Sequence, residues 1–183
     1  DVCSSDLNFK IHRIYHLAAV LSTTAQRDPA LAHRVNVEGT ANLLQLALSQ
    51  GERYELPVQF IFPSSIAVYG LPDREAKETR GPVTEDECLM PTSIYGAGKL
   101  YCERLGMQFS QYSSGQLEFR TIRFPGLISA ETVPSGGTTD YGPEMLHHAA
   151  EGRSYRCFVR PDTVLPFLAM RSEEHTSELQ SQF

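Results

Sequence analysis

No stretch of the chain stays apolar for the ~18 residues that a membrane-crossing helix requires, and no charged, apolar and small-residue leader opens it. The expectation is a protein without a membrane span or a secretory signal. The 16 lysines and arginines form no run and no patch interleaved with aromatics, so nothing in the pattern suits a phosphate backbone, and nucleic acid is not an expected partner. Cysteine is scarce. Beyond Cys3 there are Cys88, Cys102 and Cys157, an odd number without metal-ligand spacing, which fits reduced thiols and a cytoplasmic location. His33, His147 and His148 fall on expected helices with no partners at ligand spacing, so no metal site is expected. No internal repeat is present.

What is present suits one globular domain: 183 residues, 41% of them apolar and 21% charged. The two ends stand apart. Asp1–Leu7 (DVCSSDL) and Arg171–Phe183 (RSEEHTSELQSQF) resemble translated sequencing-adapter codons and are set aside as not native, leaving a fragment from Asn8 to Met170. They hold five of the 22 acidic residues and one of the 16 basic ones, so without them the net charge of −6 becomes −2.

Along the chain, Lys10–Leu17 (KIHRIYHL) reads as a buried strand stopping at Ala18-Ala19, whose small side chains leave room for a ligand. Asp28-Pro29 supplies a cap and a first-turn proline for a helix that Leu31, Val35, Leu43, Leu44, Ala47 and Leu48 carry to Gly51. Val58–Phe62 (VQFIF) is a continuous apolar strand ending at Pro63-Ser64-Ser65, and Leu71–Met90 is a polar surface loop. A helix runs from Thr92 or Ser93 to about Tyr112, and a strand, Leu117–Phe124, stops at Pro125-Gly126. A turn-rich loop at Thr132–Gly142 then precedes a short helix, Glu144–Ala150, a short strand, Tyr155–Val159, and an extended piece, Thr163–Ala169. Alternating strands and helices predict a parallel sheet with helices on both faces and a ligand at the carboxyl ends of the strands.

The chemistry points to Tyr95 and Lys99. Four residues apart on a helix, they share a face with Cβ atoms about 5–6 Å apart. An ammonium beside a phenol favours the phenolate and brings a base that ordinarily ionises near pH ~10 toward neutrality. The same pair also suits an ordinary amphipathic helix. Gly96 and Gly98 flank Lys99's turn at a cost of about 1 kcal/mol each relative to alanine, which predicts a close approach to that backbone.

Four motifs occur in a telling order: His16-Leu17-Ala18-Ala19, Asn36-Val37-Glu38-Gly39-Thr40, Ser64–Gly70 (SSIAVYG) and Tyr95–Lys99. Together they resemble the extended short-chain dehydrogenase/reductase family, the NAD-dependent epimerases, dehydratases and dehydrogenases, over about residues 11–170. The resemblance implies an α/β fold: a partial Rossmann-like, doubly wound parallel sheet over 8–130, and the beginning of a small C-terminal substrate subdomain over 131–170. The family's first strand and Gly-rich phosphate loop have no counterpart, so function is assigned to a longer parent protein, the fragment being expected to bind cofactor poorly and to be inactive. A narrower set, Arg123–Ser129 (RFPGLIS), Gly136–Tyr141 (GGTTDY), Cys157-Phe158 and Asp162–Pro166 (DTVLP), is similar to the short-chain-type L-threonine 3-dehydrogenases.

That resemblance implies oxidation of L-threonine at C3 to 2-amino-3-oxobutyrate with NAD. Tyr95, Lys99 and Ser65 would be catalytic, with Ser65 also holding the substrate oxygen. Leu17, Ala18, Ala19, Asn36, Ser64, Tyr95, Lys99, Pro125, Gly126 and Leu127 would border the cofactor. Asn36 also reads as a polar residue satisfying nearby backbone, and Ser65 as a strand-end turn. Ser22, Thr138 and Thr139 would join Ser65 and Tyr95 around an amino-acid substrate, the threonine hydroxyls and nearby N–H groups taking its carboxylate. A homodimer through the 28–50 and 92–112 helices is implied as well. The alternatives are a sugar-nucleotide epimerase or dehydratase, a sugar-acid dehydrogenase, and a non-enzymatic cofactor-sensing regulator.

Overall fold

The structure is a computed structural model that describes residues 9–130, 134 and 136–170. The expected adapter-like ends, and part of the 132–142 loop, lie outside the described residues. The chain divides into two units, Asp1–Arg123 and Phe124–Phe183.

The first unit is organised on three strands, β1 (Arg13–Tyr15), β2 (Val58–Ser65) and β3 (Leu117–Phe124), hydrogen-bonded in the order β1-β2-β3. β1 and β2 are parallel, with Ile14 opposite Phe60. β1 is shorter than the expected Lys10–Leu17 strand and is not buried throughout. The Leu17 N–H turns back to the Tyr15 carbonyl at 3.1 Å, which breaks the ladder after His16, and at the edge of the described sheet Arg13 and Tyr15 stay exposed. β2 alternates: Val58, Phe60, Phe62 and Ser64 are buried, while Gln59, Ile61, Pro63 and Ser65 are partly exposed. β3 does the same, with Glu118, Arg120 and Ile122 in solvent. The apolar run VQFIF is therefore one-sided, and the described helices that pack on β2 lie together on one face.

Those helices are α3 (Gly39–Tyr54) and α5 (Ile94–Tyr112), which pack on each other and on β2. Between them and the sheet lie Leu44, Ala47, Val58, Phe60, Phe62, Cys102 and Leu117. Burial of a phenylalanine such as Phe60 or Phe62 is worth about 1.5–3 kcal/mol, and Phe119 stacks on both rings at 5.9 and 6.0 Å.

The entry to α3 follows its sequence signal. Asp28 caps α2 (Pro29–Ala32), its carboxylate accepting the Leu31 N–H at 2.9 Å, and the helix runs on through a π-helical turn, His33–Glu38. It does not stop at Gly51. α3 continues to Tyr54 and ends at Glu55, which is left-handed at φ 52°. Gly51 serves packing instead: a Cβ there would stand 2.2 Å from the Gln116 carbonyl oxygen, where the helix crosses the start of β3. Two six-residue helices, α1 (Ser22–Arg27) and α4 (Arg74–Thr79), are too short to leave a periodic signature. α4 falls inside the expected loop 71–90, where the Asp73 carboxylate caps it by accepting the Ala76 N–H at 2.8 Å.

In the second unit β4 (Gly126–Ile128) pairs in parallel with β5 (Phe167–Ala169), and α6 (Tyr141–Ala150) packs on β4. α6 starts three residues before the expected Glu144, because Tyr141 is buried edge-on against Phe158 and Phe167 and draws the first turn into the core. Residues 155–159 form no strand: Tyr155 is spent on side-chain contacts, its hydroxyl donating to Glu144 at 2.5 Å and its ring lying 5.1 Å from His148.

Candidate active site

α5 begins as expected, with Ser93 Oγ accepting the Gly96 N–H at 3.0 Å. Its buried stripe is unusual in chemistry: Gly96, Lys99, Cys102, Glu103 and Gly106. Small residues let the helix lie close to its neighbours. A Cβ on Gly96 would stand 2.0 Å from the Ala67 carbonyl oxygen, and the Ala67 N–H donates to Ser65 Oγ at 3.2 Å. Gly96 thus seats the Ser65 turn on the helix that carries Tyr95. Gly98 does not share this role, since a Cβ there would meet only Val37 Cγ2 at an ordinary 3.7 Å. Gly96→Ala is therefore expected to cost about 1–3 kcal/mol by overpacking against backbone. Gly98→Ala should stabilise by up to about 1 kcal/mol through helix propensity. Urea unfolding of the two variants checks the pair, and equal effects would contradict the packing argument.

Lys99 is buried at 6% exposure. Its Nζ donates to the Pro63 carbonyl at 2.7 Å, lies 4.6 Å from the Phe62 ring centre, and stands 5.7 Å from that of Tyr95. Burial pushes the Lys99 ammonium below its ordinary pKa, opposed by Cys102 and Glu103. Burial also pushes the Tyr95 phenol up, which reverses the expected depression. Desolvation governs Tyr95, and the lysine's hydrogen bond goes to Pro63.

Near this pair, Ser64 Oγ is buried without a hydrogen-bond partner among the described residues, so it can receive a group from outside the chain. Leu17 and Ala18 are exposed where β1 ends, and Ala19 is half-buried. These residues leave surface open to a group from outside the chain at the end of β1 and beside β2. Asn36 Oδ1 accepts the Val20 N–H at 2.7 Å and its Nδ2 donates to the Val20 carbonyl at 2.9 Å, which is the backbone-satisfying role open to it from sequence. Ser22 opens α1, which packs on α5.

Pro125, Gly126, Leu127, Thr138 and Thr139 belong to the second unit. Gly126 and Thr139 come together there: a Cβ on the glycine would lie 3.2 Å from the Thr139 Cβ and 2.6 Å from Phe167. Leu127 and Thr138 are exposed. The Gly136 and Gly137 N–H groups both donate to Asp140 Oδ2, at 2.8 and 2.7 Å. The chain's own carboxylate thus occupies the N–H pair expected to face a substrate carboxylate.

One cluster was not expected as a unit, although Arg123 lies in RFPGLIS and Tyr69 in SSIAVYG. Glu103, 2% exposed, receives Arg123 through Nε at 2.9 Å and Nη2 at 2.7 Å, while Arg123 Nη1 donates to the Tyr69 hydroxyl at 2.8 Å and the Glu85 carbonyl at 2.5 Å. The carboxylate raises the guanidinium's pKa still further. This clamp ties β3 to α5 and to the SSIAVYG segment. A glutamate on the buried stripe one turn past Lys99 was the available signal.

Among the described residues no three metal-ligating side chains cluster, and no helix is long and apolar enough to cross a membrane. Residues 7–122 match the family model described as GDP-mannose 4,6 dehydratase. The chain belongs to this NAD-dependent epimerase/dehydratase family. It is 36% identical over 163 residues to the L-threonine 3-dehydrogenase, mitochondrial, of Bos taurus, covering 88% of this chain and 40% of that protein. Among solved structures it is similar to a GalE-like L-threonine dehydrogenase from Cupriavidus necator in its holo form, at 33% identity and TM-score 0.75, covering 87% of this chain and 48% of that one. It is also similar to a monomeric L-threonine 3-dehydrogenase from a metagenome database, at 37% identity and TM-score 0.74, covering 87% and 47%. The chain spans about half or less of the length of these relatives. Its Rossmann-like α/β fold is the one expected.

Proposed function

We propose that the protein to which this chain belongs oxidises L-threonine at C3 to 2-amino-3-oxobutyrate, with NAD as the hydride acceptor. One observation carries the reading: Tyr95 and Lys99 share the helix against which Gly96 seats the Ser65 turn, in a chain 36% identical to an L-threonine 3-dehydrogenase. Bound NAD supplies the site that takes the hydride from C3. Tyr95 removes the proton of the substrate hydroxyl, and Ser65 holds that oxygen. Lys99 is the cation of the buried stripe; with Ser64 it would hold the nicotinamide side of the cofactor, while the backbone of Leu17, Ala18 and Ala19 would pass its adenine-side ribose. Asn36 acts there through Val20, and Pro125, Gly126 and Leu127 would wall the pocket. Ser22, Thr138 and Thr139 are the candidates for the amino acid. A reducing compartment, the cytoplasm, fits the free thiols of Cys88, Cys102 and Cys157.

The description of the matching family favours a second reading, dehydration of a nucleotide sugar. The full-length enzyme is expected to form NADH with L-threonine and to leave GDP-mannose unchanged. The reverse result would replace the first reading by the second. We also propose a homodimer through the 28–50 and 92–112 helices. An apolar groove of about 400 Å³, lined by Pro29, Ala32, Val37, Ile94, Ala97 and Tyr101, runs along them and supports it. Sedimentation of the full-length protein as one copy would remove this interface.

A further inference from the structure

Asn36 and Thr40, one helical turn apart, hold the two ends of the segment that leaves β1. At the far end is the two-bond grip of Asn36 on Val20. At the near end His16 Nε2 lies 2.9 Å from Thr40 Oγ1, and the Thr40 hydroxyl lies 2.6 Å from the Asn36 carbonyl oxygen. A carbonyl oxygen only accepts, so the Thr40 proton goes to Asn36 and its oxygen must accept from the imidazole. His16 therefore carries its hydrogen on Nε2. The site keeps the ring neutral: burial, and then the charge of Lys99, hold its pKa below the ordinary value. Phe60 and Phe62 flank the imidazole with ring centres at 6.0 Å, and Thr40 has no exposed surface. The strand end cannot swing away without leaving a buried donor and acceptor unpaired. Between the two anchors Leu17 and Ala18 face outward, Leu17 at 73% exposure.

We propose that Thr40 is a positioning residue for cofactor binding: by accepting the Nε2–H of His16 it sets where the backbone of Leu17–Ala19 runs. The proposal rests on the reading that those three residues border NAD. Thr40→Val keeps the shape of the side chain and removes the acceptor, while Thr40→Ser restores the hydroxyl. His16→Gln keeps a donor that can reach Thr40.

Two measurements test it. In the full-length protein, long-range ¹H–¹⁵N NMR of the imidazole is expected to give the neutral Nε2–H form for wild type and Thr40→Ser, and a mixture of tautomers for Thr40→Val. In the full-length enzyme, Thr40→Val is expected to raise the KM for NAD about tenfold, the equivalent of one hydrogen bond, with kcat nearly unchanged. Thr40→Ser and His16→Gln should stay close to wild type. An Nδ1–H histidine in wild type, a tautomer that ignores Thr40→Val, or a Thr40→Val enzyme that loses kcat and KM together without rescue by serine would overturn the proposal. If the tautomer responds as expected but the wild-type enzyme does not bind NAD, the functional reading has failed, and the positioning role falls with it while the hydrogen bonds stand.

Discussion

Tyr95→Phe in the full-length protein is expected to slow L-threonine oxidation by about 10²–10⁴-fold, the range in which a positioned general base contributes. NAD should bind nearly as before, because Lys99 and Ser64 are untouched and phenylalanine keeps the half-buried ring. The structure sharpens this expectation. Burial pushes the phenol up in the unliganded site, so Tyr95 is protonated there, and its service as base depends on the positive charge that Lys99 and a bound NAD would bring to it. Steady-state NADH formation, paired with NAD titration by fluorescence, checks both halves. Turnover within a few-fold of wild type would sink the assignment of Tyr95 as base.

Glu103→Ala should destabilise the protein by about 3–5 kcal/mol, since it leaves the Arg123 guanidinium mostly buried without its counter-charge. The double replacement Arg123→Met with Glu103→Leu should cost less than Glu103→Ala, because it removes both charges and fills the space. Urea unfolding midpoints at constant slope give the comparison. A Glu103→Ala cost under about 1 kcal/mol would mean that water reaches the guanidinium and that the clamp is a surface pair in effect. The outcome matters for the site, because Arg123 also holds Tyr69, four residues past Ser65.

At several places a local signal sets the backbone and the expectation and the structure coincide. The Ser93 cap, the span of α5 to Tyr112, the Asp28-Pro29 helix start and β3 at Leu117–Phe124 all follow from capping chemistry and apolar period, which act within a few residues. The common helix face of Tyr95 and Lys99 was legible for a related reason, since a separation of four residues is enough to set it, whereas Ser65 was read from the resemblance that SSIAVYG carries. Gly51 was misleading because a glycine near a helix end and a glycine under a crossing strand look alike in one dimension; the Gln116 carbonyl 2.2 Å from its absent Cβ lies 65 residues away. Shorter but still long separations along the chain hide the Glu103–Arg123 pair, the Gly96–Ala67 contact and the line from His16 through Thr40 to Asn36. The protonation of Tyr95 and Lys99 belongs with these. The neighbouring charge that would lower the phenol can be counted in the sequence, but the desolvation that outweighs it exists only once β2 and α5 have closed over both side chains.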